Sequence, residues 1–329
     1  MTEMSYADAA VLALRQEMTR DPMVWALGED LGPAGGVAGQ YRGLQAEFGP
    51  RRIFDTPISE STIMGAGVGA AIAGTRPVVE LRYTDFAICA ADEIVNQAAK
   101  IRYMFNGQAR VPLVIRQSIG ARRGFAAQHS QSLEAWWVHI PGLVVVAPST
   151  PADNHSLLKA SIRSDDPVVY LEHKELWGIR ADVDPDAGAG EIGVADIVEQ
   201  GDDLTVVTWS NMRQVCVEAA RTLRQKDIGA EVIDLRTLWP WDRECLLRSV
   251  RKTGRLLVVH ESVRVGGFGA EIAAEIGEFL WKDLRAPVRR LGLERVPMPY
   301  SAPLETHFRI TSARVIETAV EMIEYSSAV

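Results

Sequence analysis

Two short stretches of this chain carry side chains able to do acid–base work. The first is Asp55-Thr56-Pro57-Ile58-Ser59-Glu60. Pro57 favours an extended approach, and Ser59 is of a type that caps helices. Glu60 then falls in the first turn of a nearly uncharged run that continues through Ala73. A carboxylate there suits the positive end of a helix dipole, and a solvated surface role satisfies the same pattern. A carboxyl group in apolar surroundings would instead keep a proton to share. Residue types alone leave both readings open. The second stretch is Gln128-His129-Ser130-Gln131-Ser132, preceded by Gly120-Ala121-Arg122-Arg123-Gly124. Histidine is the side chain whose charge changes near neutral pH, and four polar neighbours argue against a core position. The apolar run 111–115 precedes this stretch, so His129 is expected near the C-terminal edge of a parallel sheet, where ligands gather. A surface role is the competing reading for it. His139, in Trp136-Trp137-Val138-His139, is read as a packed residue with the same cleft as the alternative.

Other chemistries find less support. Gly65-Ala66-Gly67-Val68-Gly69 lies inside a helical pattern, and Gly266-Gly267-Phe268-Gly269 lacks the spacing of a dinucleotide turn. Glycines within a helix point to close packing. No pair of histidines has zinc-ligand spacing, so no metal ligands are expected from this chain. Cys89, Cys216 and Cys245 sit in apolar or helical stretches and are read as reduced, packed thiols. With 43 acidic against 35 basic side chains the net charge is -8, which excludes the basic face that nucleic acids require. Glu3 and Asp8 interrupt any signal-like start, and the most apolar stretch, 65–74, is too short to span a bilayer. A soluble, cytoplasmic protein that binds neither nucleic acid nor membrane is expected.

The elements that must position these groups follow from hydrophobic patterning. Short apolar runs at 24–27, 78–81, 111–115, 143–146 and 168–171 read as buried strands, and 6–18, 62–73, 92–104 and 152–164 as helices. The alternation resumes with strands at 204–209, 230–233, 256–259 and 288–291 and helices at 212–226, 243–252, 269–280 and 312–325. Between the two series, Asp, Pro, Gly and Ala dominate from Arg180 to Gly190. The expected fold class is α/β with two domains, each a mainly parallel sheet covered by helices. Their bounds are set at residues 1–180 and 201–329, with a linker at 181–200.

Taken in order, Gly28-Glu29-Asp30, Phe54 to Glu60, Asp92 to Lys100, Gln128 to Ser132, Pro141-Gly142-Leu143, Ala147-Pro148-Ser149, Asp234 to Leu238, Val259-His260-Glu261 and Gly266 to Glu271 cover nearly the whole chain. Their sequence resembles the beta subunit of the thiamine-diphosphate-dependent first component of 2-oxoacid dehydrogenase complexes. The resemblance implies a transketolase-like pyrimidine-binding domain followed by a transketolase C-terminal domain. By the same resemblance Glu60 hydrogen-bonds the cofactor's pyrimidine N1′, where burial would help it hold a shareable proton. Phe86 matches the stacking aromatic, Ile58 an apolar cofactor neighbour, and His129 the active-site histidine facing the substrate. Arg122 or Arg123 would reach an anionic substrate group or a neighbouring subunit, with a solvated basic pair as the alternative. The family's Gly-Asp-Gly diphosphate motif does not occur here; Gly201-Asp202-Asp203 is the nearest match. Thiamine diphosphate would therefore be shared with an alpha subunit that holds most of the Mg2+ site. A heterotetramer of two alpha and two beta chains and docking of a lipoyl acyltransferase are implied too. Gln128 and Glu172-His173-Lys174 are closer to pyruvate or acetoin dehydrogenases than to branched-chain enzymes. The competing readings are one half of a split transketolase and a non-catalytic scaffold.

Overall fold

The structure, a computed structural model, describes residues 1–325. It divides into two compact units: Met1–Gly120 with Trp136–Ile192, and Ala121–Ala135 with the chain from Gly193 onward.

The first unit opens with β1 (Thr2–Ser5) and α1 (Tyr6–Arg20), whose first turn is closed by Ser5 accepting from the Asp8 amide. Next come β2 (Val24–Gly28), α2 (Leu44–Phe48), β3 (Ile53–Asp55), α3 (Glu60–Ile72), β4 (Arg76–Tyr83) and the short α4 (Thr84–Ala87). After α5 (Ile101–Met104) follow β5 (Val114–Ile119), α6 (Glu134–Val138), β6 (Val144–Val146), α7 (Pro151–Arg163), β7 (Val168–His173) and β8 (Arg180–Val183). Strands lie in the order β6-β7-β5-β4-β2-β3, every neighbouring pair parallel. Every residue of β5 and β7 is buried, as parallel strands covered on both faces require. Leu14 and Met18 from α1, Val24, Val78 and Val114 from the strands, and Leu158 from α7 share one core.

The second unit holds β9 (Asp196–Glu199), β10 (Leu204–Thr208), α8 (Met212–Arg224), β11 (Ala230–Asp234), a short β12 (Thr237–Trp239), α9 (Arg243–Thr253), β13 (Leu256–Val263), α10 (Gly269–Leu280), β14 (Arg289–Leu293), α11 (Ala302–Phe308) and α12 (Ser312–Tyr325). Its sheet runs β14-β13-β10-β11-β9, parallel except for the β11–β9 edge. Leu204, Val232 and Leu257 from the strands meet Leu223 of α8 and Met322 of α12 in its core.

Several expectations change. The helix expected at 92–104 is a π-helical stretch (Glu93–Ala98) and then α5, with a 3₁₀ turn (Ile88–Ala90) just before it. The strand expected at 111–115 lies further on, at Val114–Ile119. Within the segment read as linker, β8 pairs antiparallel with β1, and β9 joins the second sheet. Both are short strands stabilised by partners distant in sequence, which local composition does not register. Residues 121–135, with His129, group with the second unit. Cys216 and Cys245 are buried as expected, whereas Cys89 is exposed.

Candidate active site

Glu60 opens α3 and is half-buried. Ser59 occupies the capping position, yet its hydroxyl donates to the Pro57 carbonyl at 3.0 Å and caps no α3 amide. Beside Glu60 the chain leaves apolar surface uncovered: Ile58 is 75% exposed and Phe54 51%. The helix is held tightly against β4. A Cβ on Gly67 would come within 2.4 Å of Val79 Cγ2, so of the three spaced glycines this one is required by packing.

The ends of β2 and β4 bring further charges together. Gly28 pairs with Glu80 in parallel register. Its φ is 154°, and an added Cβ would lie 2.6 Å from the Glu80 carbonyl oxygen. Glu29 and Asp30 follow. Between Glu80 and Tyr83 the β4–β5 register shifts, an irregularity that puts Arg82 at a φ of 58°. The Arg82 guanidinium lies 3.4 Å from Glu29 and 3.1 Å from Asp30, and its amide donates to Glu80 Oε1 at 3.1 Å. Burial, and next the Glu60 carboxylate, push the Glu29 pKa up, while Arg82 pulls it down. The Glu60 carboxylate therefore acts on Glu29 across the ends of β2 and α3.

Behind them lies a buried network. Glu80 Oε2 accepts from Tyr41 Oη at 3.1 Å, and burial pushes the Glu80 carboxyl up to about 7 despite the nearby Arg116. Arg116 is fully buried, donates twice to Glu172 at 3.0 and 2.5 Å, and stacks 4.9 Å from the Tyr41 ring. Glu172 also accepts from Asn154 at 2.9 Å. Glu172, His173 and Lys174, expected to reflect substrate preference, are thus interior residues of the first unit.

Phe86, in α4, is half-buried and meets Tyr83 edge-on, with ring centres 5.8 Å apart. Thr84 fixes that short helix by donating to Gln117 at 2.8 Å and accepting from Trp137 Nε1 at 3.4 Å. His139 is exposed, a correction to its reading as packed: α6 buries Trp137 and leaves Trp136 55% exposed, so this end of the segment is only partly covered.

In the second unit, His129 is half-buried, with its ring 6.4 Å from Phe125 in an edge-on arrangement. Its loop is pinned by the Ala121 amide donating to Glu261 at 2.5 Å and the Gly124 amide donating to Glu305 at 3.2 Å. Arg122 and Arg123 are exposed. The same loop contributes Ser130 and Ser132 to a cavity of about 510 Å³, with Glu261, Arg295 and Met298 also in its lining.

Glu60, Ile58 and Phe86 therefore belong to one unit, and His129 with both arginines to the other. Glu29, Arg82, Glu80 and Arg116 were not singled out from sequence as site residues. Their signal was available: Glu80 and Arg116 are charges inside apolar strand runs, and such charges are buried only when paired. A half-buried carboxyl, an aromatic pair and exposed apolar side chains suit a flat nitrogen heterocycle. Among the described residues no cluster of three or more His, Cys, Asp or Glu could hold a metal ion. Nor is any helix long and apolar enough to cross a membrane.

Residues 2–179 match the family described as transketolase, pyrimidine binding domain, and residues 193–315 match transketolase, C-terminal domain. The chain is 42% identical to the 2-oxoisovalerate dehydrogenase subunit beta of Bacillus subtilis, over 99% of this chain and 100% of the relative. It is 44% identical to the acetoin:2,6-dichlorophenolindophenol oxidoreductase subunit beta of Cupriavidus necator, covering 93% and 94%. An identity of 44% also relates it to the mitochondrial pyruvate dehydrogenase E1 component subunit beta-1 of Arabidopsis thaliana, covering 92% and 85%. A solved structure titled split gene transketolase, inactive beta4 tetramer, superposes with a TM-score of 0.81 over 98% and 99% of the two chains. Its 24% identity establishes a common fold.

Proposed function

This chain belongs to the beta-subunit family of the thiamine-diphosphate-dependent 2-oxoacid and acetoin dehydrogenases, and on that premise we propose that Glu60 is the residue through which it activates the cofactor. The observation that carries the proposal is the half-buried Glu60 carboxyl in the first turn of α3, beside the buried Glu29. The surrounding residues fit the pyrimidine half of thiamine diphosphate. Phe86 supplies an aromatic face, Ile58 an apolar contact that is exposed in this chain, and Glu60 a carboxyl for a ring nitrogen. When bound, the cofactor supplies the carbanion stabilisation that cleavage beside a carbonyl requires. Glu60 would hold a proton facing the pyrimidine N1′ of the bound cofactor. His129 donates a proton or stabilises negative charge on the substrate oxygen. Arg122 or Arg123 attracts an anionic substrate group.

With no Gly-Asp-Gly segment in this chain, the diphosphate and Mg2+ fall to a separate alpha subunit. The working assembly is then a heterotetramer of two alpha and two beta chains, located in the cytoplasm, that passes its acyl group to a lipoyl acyltransferase. The split-transketolase alternative loses ground, because relatives at 42–44% identity carry dehydrogenase or oxidoreductase names whereas the transketolase structure stands at 24%. The substrate is a 2-oxoacid or acetoin. Similar identities to the oxoisovalerate, acetoin and pyruvate relatives leave the choice to measurement.

Calorimetry tests the shared site. Thiamine diphosphate with Mg2+ is titrated into this chain alone and into the chain assembled with an alpha subunit. Tight binding by the pair only is expected, followed by turnover of pyruvate, 2-oxoisovalerate or acetoin. Equal binding by the chain alone would overturn the division of the site. No binding by the pair would favour the scaffold.

A further inference from the structure

His129 sits in a segment, 121–135, that holds no strand and turns helical only at Glu134. A chain without ladder hydrogen bonds keeps a side chain in place through other contacts. Three carboxylates supply them here: Glu261 accepts from the Ala121 amide at 2.5 Å, Glu305 from the Gly124 amide at 3.2 Å, and Glu134 from Trp209 Nε1 at 3.1 Å. Of these, Glu305 bears most directly on His129. Gly124 is the third residue of a turn that closes where the Phe125 amide donates to the Arg122 carbonyl at 3.0 Å. Its φ of 82° suits that place in a type II turn, which favours glycine. Phe125 then brings its ring edge-on to His129, with ring centres 6.4 Å apart.

We propose that Glu305 is a positioning residue for His129: paired with Arg309, it holds the Arg122–Phe125 turn and so seats the Phe125 ring against the imidazole. The inference rests on the role given to His129 above and extends it to α11, 181 residues along the chain from Gly124. Glu305 is buried, and its two oxygens have separate tasks. Oε2 takes the Gly124 amide, while Oε1 accepts from Arg309 Nε at 3.1 Å and Nη2 at 2.5 Å. Hydrogen bonds to an ionised acceptor are stronger and more directional than neutral ones. The ion pair fixes the carboxylate, the carboxylate fixes the turn, and the turn places Phe125. Without Glu305, the Gly124 amide and the Arg309 guanidinium lose the acceptor they share, and the turn keeps its own 3.0 Å hydrogen bond. A displacement of about 1 Å at a group that meets the substrate costs about 100-fold in rate.

Imidazole NMR signals of the full chain labelled with 13C-histidine read the seat of His129, which His129→Gln assigns. An edge-on aromatic neighbour shifts them through its ring current. Glu305→Ala and Phe125→Leu should both move the His129 signals and leave those of His155, His173 and His260 in place. Gly124→Ala disturbs the turn through its positive φ alone, because an added Cβ meets nothing within 4 Å. It should move the same signals, and it keeps the proposal decidable even if Glu305→Ala does not fold. In the enzyme assembled with an alpha subunit, Glu305→Ala should lower kcat by about 10-fold with thiamine diphosphate affinity unchanged. Glu305→Gln, which retains one oxygen, should recover part of that loss. With His129 already replaced by Gln, Glu305→Ala should cost less than about twofold more, because the two residues act as one unit. His129 signals unmoved in both Glu305→Ala and Gly124→Ala would overturn the proposal. So would a full loss of kcat in the His129→Gln background. Turnover unchanged by His129→Gln would instead remove the role assigned to His129, while the imidazole signals still decide whether Glu305 seats it.

Discussion

In the first unit the central strands β4, β5 and β7 carry Glu80, Arg116 and Glu172 into the interior. In the second unit, β10 and β13 carry Thr205 and His260 there. The first group is a set of alternating charges, each held by another. The second is uncharged: Thr205 shares its hydroxyl with Ser249 at 2.7 Å and Thr253 at 2.8 Å. His260 stacks on Trp209 at 5.2 Å and is driven by burial to a pKa of about 4. The contrast belongs to these central strands, since β11 of the second sheet also buries charge, with Glu231 against Lys252 and Asp234 near Arg213. A network of charges keeps fixed directions and can hold nearby carboxyls such as Glu29 in place. A histidine that sheds its charge is cheaper to bury and exerts little field. The acid–base work assigned to Glu60 thus falls in the unit whose central strands carry the charged network.

The largest expected effect breaks or keeps that assignment. Glu60→Gln retains the shape of the side chain and removes its titration. Steady-state turnover by the assembled enzyme should fall by at least about 100-fold, with the circular dichroism spectrum unchanged. Turnover within about twofold of wild type would mean that the first unit is a scaffold. Next in size is the interior network itself. Arg116→Met leaves Glu172 and Glu80 buried without their cation, which should cost about 3–5 kcal/mol in urea unfolding of the first unit. A loss under about 1 kcal/mol would mean that water or rearrangement replaces the arginine, and that the network is not a rigid frame.

The two interiors should also answer pH in opposite directions. Glu80 has its folded pKa raised from 4.5 to about 7, so its contribution is fully present below pH 4.5 and lost as pH rises toward 7. His260 has its folded pKa lowered from 6.5 to about 4, so its contribution is present above pH 6.5 and lost as pH falls toward 4. Hydrogen exchange resolved by segment, read from pH 4.5 to 7, tests this pairing. Glu80→Gln should flatten the trend in β4 and β5, and His260→Gln that in β10 and β13. The same sign of trend in both units would remove the contrast.

How far these features could be read in the sequence depended on what forms them. The bounds of α10 and the start of α12 were legible to the residue, because apolar spacing on one face fixes each helix. The break between Asp92 and Met104 was not legible: a π-helical turn at Glu93–Ala98 keeps nearly the same composition as an α-helix and differs in packing. β8 escaped because its partner β1 is about 180 residues away in sequence. Glu60 could be placed at the head of a helix from its neighbours, but its role came only from the resemblance. Arg82 was invisible for a deeper reason. Tyr83 and Glu80 read as an ordinary strand, and only the register shift turns the arginine between them toward Glu29.

The smallest expected effect concerns thiols, and it tests how closed the second interior is. Cys216 is buried and its pKa is pushed up to about 12 by burial; Cys245 is buried and raised as well. Cys89, in the first unit, is exposed. Thiolate, rather than thiol, attacks a disulfide reagent, so both second-unit cysteines are protected twice, by access and by protonation. The native chain should therefore react at one thiol per molecule with an aromatic disulfide, the other two following only in denaturant. Cys89→Ser should abolish the fast phase and leave stability within about 0.5 kcal/mol of wild type. A fast second thiol in the native chain would mean that α8 or α9 opens readily. The second unit would then be the loosely held one, and the uncharged polar groups of β10 and β13 a sign of low local stability, not of economical burial.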